Sequence, residues 1–139
     1  MLPGERGAGS SNVVPTAVLV VGMHRSGTSA LAGTLSMAGV DLGSSLVPPA
    51  ADNPKGFFEH DAVGRIHHDL LVEIGSSWHD IRPLPDDWSD GQPAKKAVAR
   101  LRAELERSFS KTQLWGVKDP RLSRCFAIWP KRLLKKSVV

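Results

Sequence analysis

The chain has 139 residues, 41% hydrophobic and 23% charged, which suits one globular domain and excludes a low-complexity or collagen-like chain. A single cysteine, Cys125, excludes an internal disulfide and fits a reducing, cytoplasmic setting, and no apolar run approaches the ~20 residues that span a bilayer. The net charge of +4 fits a polyanionic ligand, nucleotide or nucleic acid alike, although part of it lies in the tail Lys131-Arg132-Leu133-Leu134-Lys135-Lys136.

Residues 1–12 are rich in Gly, Pro and Ser and are expected to form a disordered lead, leaving 13–139 as the folded unit. Thr16 to Val21 is continuously apolar and predicts a strand at the centre of a parallel sheet, covered on both faces. Residues 28–38 predict a helix with Leu31, Leu35 and Ala38 on one face, stopped by Gly39. Val40 to Asn53, with two glycines and adjacent prolines, reads as a loop near the site. Over 61–74, Val63, Ile66, Leu70 and Ile74 share one helical face, and Gly75 ends the helix. Trp78 to Gly91 reads as an irregular surface segment, a lid or an acceptor-side loop. Pro93 opens a third helix at its first turn, with Val98, Leu101, Leu105 and Phe109 as its buried stripe. Leu114 to Lys118 is a second short strand, and 121–135 is expected to be a last helix.

The chemistry concentrates in Gly22-Met23-His24-Arg25-Ser26-Gly27-Thr28-Ser29, between the first strand and the first helix. A strand–loop–helix junction gathers backbone N–H groups and a positive helix end around one point, which suits a phosphate-like anion. Gly22 and Gly27 let the backbone approach the anion, Arg25 adds charge, and Ser26, Thr28 and Ser29 add hydroxyls. The stretch departs from the P-loop pattern G-x-x-x-x-G-K-[ST] because Thr28 stands where the lysine belongs. That lysine normally reaches the β- and γ-phosphates, so its absence argues against an ordinary ATPase.

Three stretches in order, Val21 to Ser29, Asn53-Pro54-Lys55-Gly56-Phe57-Phe58-Glu59 and Trp115-Gly116-Val117-Lys118-Asp119-Pro120-Arg121, resemble motifs of sulfotransferases that use 3′-phosphoadenosine 5′-phosphosulfate (PAPS), of the bacterial and Golgi type. The resemblance covers roughly residues 16 to 130 and implies an α/β fold with a P-loop NTPase-like parallel sheet and flanking helices. It implies that Gly22, His24, Arg25, Ser26, Gly27, Thr28 and Ser29 hold the 5′-phosphosulfate of PAPS as co-substrate. Lys118 stands where related tyrosyl-protein sulfotransferases have a catalytic lysine before Asp-Pro, with Asp119 as its orienting partner. The alternative for Lys118 is a strand-end lysine paired with Asp119, and for Arg25 a solvated arginine.

Glu59 is the first candidate for the general base, since burial beside Phe57-Phe58 raises a carboxylate toward working pH; capping of the second helix by Glu59 or Asp61 is the competing role. His60 is the second candidate base. Trp78 and Trp88 are candidates to stack on adenine or line an acceptor pocket, with core or lid residues as the equal alternative, and Arg121 and Arg124 are candidates to reach an anionic ligand, with a solvated helix face as the favoured reading. His67-His68 and His79 lack metal-ligand spacing, and no metal is expected.

The implied acceptor is a hydroxyl or amine on a carbohydrate, lipid, small metabolite or tyrosine, with no nucleic-acid partner expected. Only two strands are legible, where a doubly wound sheet has about five. Nothing after Trp129 resembles the family's 3′-phosphate-binding segment, so the chain is expected to be the N-terminal portion of a longer enzyme. The rival functions are an NTP-dependent kinase with an atypical loop, and an inactive fragment or polyanion-binding module acting through the basic tail.

Overall fold

The computed structural model describes residues 14–134. The anticipated lead over 1–12 and the end of the basic tail, Lys135 and Lys136, lie outside the described residues. Two strands, β1 (Thr16–Val20) and β2 (Leu114–Lys118), pair in parallel from Thr16↔Leu114 to Val20↔Lys118. Between them come α1 (Thr28–Met37), α2 (Asp61–Glu73), a 3₁₀ turn (Trp88–Asp90) and α3 (Gln92–Phe109). After β2 follow α4 (Leu122–Cys125) and α5 (Ile128–Arg132). The architecture is mixed α/β, with a two-stranded parallel sheet among the described residues.

Strand side chains alternate between faces, so the sheet has two covers. On one face Leu19, Trp115 and Val117 join α2, α3, α4 and α5 in the main core, which is closed by Leu70, Leu101, Leu122 and Trp129. On the other face Val18 meets Ala32 of α1 and the Val40–Leu42 segment. That segment also runs along β2, where Asp41 N–H donates to the Leu114 carbonyl at 3.1 Å and Gly116 N–H to the Asp41 carbonyl at 2.8 Å. Gly116 permits the approach: a Cβ there would lie 2.9 Å from Val40 Cγ1 and 3.0 Å from the Val18 carbonyl.

Several expectations are corrected. β1 is exposed at Thr16, half-buried over 17–19 and buried only at Val20, and Val21 is exposed beyond its end, because two strands cannot enclose a centre. The buried face of α1 is Thr28 and Ala32; Leu31 is 52% exposed, Ala38 is exposed and Leu35 half-buried. A small residue wins the core position because it brings the helix axis close to the sheet. The last helix is broken into two short ones. Pro130 has no N–H to offer the Phe126 carbonyl, which instead accepts from Trp129 N–H at 2.9 Å, so the helix restarts at Ile128.

The α2 stripe is buried at Val63, Ile66 and Leu70, with Ile74 at its margin, and Gly75 follows at φ 74°. The α3 stripe is buried at Val98, Leu101 and Phe109. No described helix is long and apolar enough to cross a membrane.

Candidate functional site

Parallel pairing puts the C-terminal ends of β1 and β2 side by side, and in open parallel sheets this is the end that faces ligands. The loop after β1 enters α1 through Gly27, the N-cap, at φ 82° with no side-chain cap. The first amide of α1 with a backbone acceptor is Leu31, bonded to the Gly27 carbonyl at 3.1 Å. Among the described residues the amides of Thr28, Ser29 and Ala30 have no backbone acceptor, which leaves donors at the positive end of the helix.

The loop is tightly built. Ser26 Oγ donates to the Met23 carbonyl at 2.6 Å. A Cβ on Gly22 would lie 2.7 Å from Thr28 Cγ2 and 3.0 Å from Ser26 Oγ, so this position has no room for a side chain. Three described non-glycine residues have positive φ, and two of them, Arg25 (64°) and Phe58 (55°), line the same cavity. Left-handed backbone costs an L-residue roughly 1–2 kcal/mol, and such strain collects at functional sites.

That cavity is open to solvent and has a volume of about 750 Å³. His24, Arg25 and Ser29 line its loop side, and Phe57, Glu59 and Lys118 line the side facing them. Gly27 and Thr28 also line it, whereas Gly22 and Ser26 do not and act within the loop.

Lys118, the last residue of β2, is 3% exposed. Its ammonium donates to Glu59 Oε1 at 2.7 Å, to Ser29 Oγ at 3.2 Å and to the Phe57 carbonyl at 3.2 Å. Three motifs far apart in sequence thus meet at one nitrogen. Asp119 is not the partner of Lys118. It is buried on the opposite side of the strand end and bonds His67 at 2.6 Å and Arg121 at 2.9 Å. Burial works against its charge, but the His67 hydrogen bond and the Arg121 guanidinium prevail and hold its carboxyl below the usual range.

His60 lies away from the cavity. Its ring packs against Phe109 and beneath Gly43, and Nε2 meets Ser108 Oγ at 3.1 Å. Ser108 gives its own proton to Glu104 at 2.9 Å, so His60 carries its proton on Nε2. Nδ1 is buried with no partner among the described residues, and burial holds the imidazole below its ordinary value. This placement removes His60 as a base for a ligand in the cavity.

His24 packs against Trp78 with ring centroids 4.2 Å apart, and partial burial lowers its pKa. Trp88 packs on the main core, away from the cavity lining, which is the core alternative for this residue. Arg121 and Arg124 are not a solvated face. Arg121 is tied to Asp119, and Arg124 donates to Ser76 Oγ at 2.9 Å and to the Arg82 carbonyl at 3.0 Å.

Sequence reasoning missed the His67–Asp119 contact. The available signal was His67 falling on the apolar face of α2, between Ile66 and Leu70. Among the described residues no group of His, Cys, Asp or Glu is placed to hold a metal ion. Comparison of the chain with protein-family models, with curated proteins and with solved structures finds no match.

Proposed function

We propose that the chain binds the 5′ end of a PAPS-type nucleotide and transfers its sulfuryl group to a hydroxyl or amine, on a P-loop NTPase-like sheet. One observation carries the reading. The Lys118 ammonium lies 3.2 Å from Ser29 Oγ, at the mouth of a loop whose first-turn amides lack backbone acceptors. A phosphosulfate fits this donor set: amides and hydroxyls to hold its oxygens, and cations, Arg25 and Lys118 among them, to balance its charge. The cavity's 750 Å³ lies within the range of nucleotide-sized sites. The sequence resemblance supports the same assignment, with Thr28 in place of the P-loop lysine and Lys118 supplying an ammonium from the second strand.

Each residue then has a chemical task. The amides of residues 28–30 and the Ser29 hydroxyl orient the anion. Lys118 and Arg25 stabilise negative charge on the leaving phosphate oxygen. Glu59, a carboxylate 2.7 Å from the Lys118 ammonium and lining the cavity, accepts the acceptor's proton on a carboxylate oxygen. Bound PAPS supplies a sulfuryl group on a good leaving group; the S–O bond to phosphate breaks as the bond to the acceptor forms. No described residue is assigned to the donor's 3′-phosphate.

Calorimetric titration tests the reading. The chain should bind 3′,5′-bisphosphoadenosine about tenfold or more tightly than ATP–magnesium. The reverse order favours a kinase. Binding to neither, with polyanion binding abolished by neutralising Lys131, Arg132, Lys135 and Lys136, favours a tail-borne binding module. Transfer of labelled sulfate from PAPS to an acceptor reports the activity itself.

A further inference from the structure

Behind the cavity lies a second polar cluster, sealed from solvent. His67, Asp119 and Trp129 are each at most 1% exposed, and none of them lines the cavity. His67 Nδ1 donates to Asp119 Oδ2 at 2.6 Å, and its Nε2 accepts from the Trp129 indole N–H at 3.0 Å. An indole nitrogen can only donate, so the imidazole is neutral with its proton on Nδ1. The remaining oxygen of Asp119 accepts from the Arg121 backbone N–H at 3.2 Å and from its guanidinium at 2.9 Å. Both imidazole nitrogens and both carboxylate oxygens are therefore engaged.

An apolar trio of similar volume commonly matches or exceeds the stability of a buried ionic group. What a fully satisfied polar cluster adds is a fixed geometry. The geometry fixed here is that of the β2 terminus. Lys118 and Asp119 are consecutive and point to opposite sides, so anchoring one sets the angle at which the other leaves the strand. Both anchors belong to α2 and its lead-in. Glu59, two residues before the helix, holds Lys118, and His67, two turns inside it, holds Asp119.

We propose that His67 is a positioning residue: by holding Asp119 it aims the Lys118 ammonium at Ser29 and Glu59. The proposal rests on the reading of Lys118 as the ligand-facing cation, and its primary readout is independent of any ligand.

That readout is proton exchange of the Lys118 ammonium, followed by NMR on the full chain with nitrogen-labelled lysine, alongside the urea midpoint of each variant. The ammonium is buried with three acceptors, so its protons exchange slowly in the wild type. His67→Phe removes both imidazole bonds and should speed exchange by about tenfold or more. His67→Asn can present an amide N–H where Nδ1–H stands and should restore slow exchange; His67→Gln, which reaches the Nε2 position, should not.

A general packing role lowers the urea midpoint of all three variants without this ordering. The proposal is overturned if His67→Phe keeps wild-type exchange, or if Asn and Gln behave alike; should the Phe variant not fold, the Asn–Gln comparison decides. Titration with 3′,5′-bisphosphoadenosine separates the two levels. If the wild type does not bind it, the functional reading falls while the exchange result stands. If it binds, His67→Phe should weaken affinity about tenfold and His67→Asn should recover it.

Discussion

Replacing Lys118 by methionine tests the centre of the site. The change keeps an unbranched chain of similar length and removes the charge. It leaves Glu59 without its partner at 2.7 Å and removes donors from Ser29 Oγ and the Phe57 carbonyl. Breaking a buried ion pair by deleting one partner costs about 3–5 kcal/mol. The Glu59 side chain is 13% exposed and opens on the cavity, so water recovers part of that cost and the lower end, about 3 kcal/mol, applies. At roughly 2 cal/mol/K per residue of unfolding entropy, this is a fall in Tm of about 10 °C.

Glu59→Gln keeps an acceptor for Lys118 and should cost about 1–2 kcal/mol. The double variant leaves no unpaired charge and should recover about 2 kcal/mol relative to the sum of the singles. Urea unfolding of the four proteins gives the coupling directly. A Lys118→Met variant within about 0.5 kcal/mol of wild type, or a double variant equal to the sum of the singles, refutes the reasoning. The same proteins separate structure from function. Lys118→Met should lose affinity for 3′,5′-bisphosphoadenosine, while a purely structural pair leaves affinity unchanged in the folded protein.

The remaining expectations concern the loop, acid stability and the thiol. Gly22→Ala puts a Cβ 2.7 Å from Thr28 Cγ2 and should displace the loop; calorimetry should show bisphosphate affinity falling about tenfold or more, and undiminished binding refutes the tight-turn role. His60 has its pKa lowered by burial from the ordinary 6.5, so the unfolded chain binds its proton first on acidification. Its contribution to stability is therefore complete above pH 6.5 and is lost as pH falls from 6.5 to the folded value, with a limiting slope of about 1.4 kcal/mol per pH unit. His60→Gln, which keeps a donor to Ser108, should flatten that slope in urea titrations between pH 5 and 7, about the window in which histidine titrates. Cys125 is buried and its thiol is pushed up to about 12, so alkylation of the native protein should wait on unfolding; rapid labelling under native conditions refutes its placement.

The elements that could be read in the sequence are those whose signal is local. The α2 and α3 stripes, the breaks at Gly39 and Gly75 and the ends of both strands follow from period, propensity and punctuation within a dozen residues. The glycine loop was legible for the same reason. Its donors come from one junction, and Gly22, Gly27 and the hydroxyls lie within eight residues. What was not legible depends on which of several polar groups a fold brings together.

Lys118 had an adjacent carboxylate at Asp119 and a remote one at Glu59, and short range favoured the wrong pairing. Strand alternation decides it: consecutive residues at a strand end face opposite ways, so the neighbour in sequence cannot be the neighbour in space. His60 and Glu59 were rivals for the same role and separate for a similar reason. Glu59 turns to the cavity, while His60, at the N-cap of α2, turns to Ser108 and Phe109 across the helix pair. His67 looked inert because a lone histidine on an apolar helix face has no pattern to announce it. Its role follows only once β2 delivers Asp119 and α5 delivers Trp129 to its two nitrogens. The loop's donors come from neighbours in the chain. The contacts that join Lys118 to Ser29 and Glu59, and His67 to Asp119 and Trp129, span 52 to 89 positions.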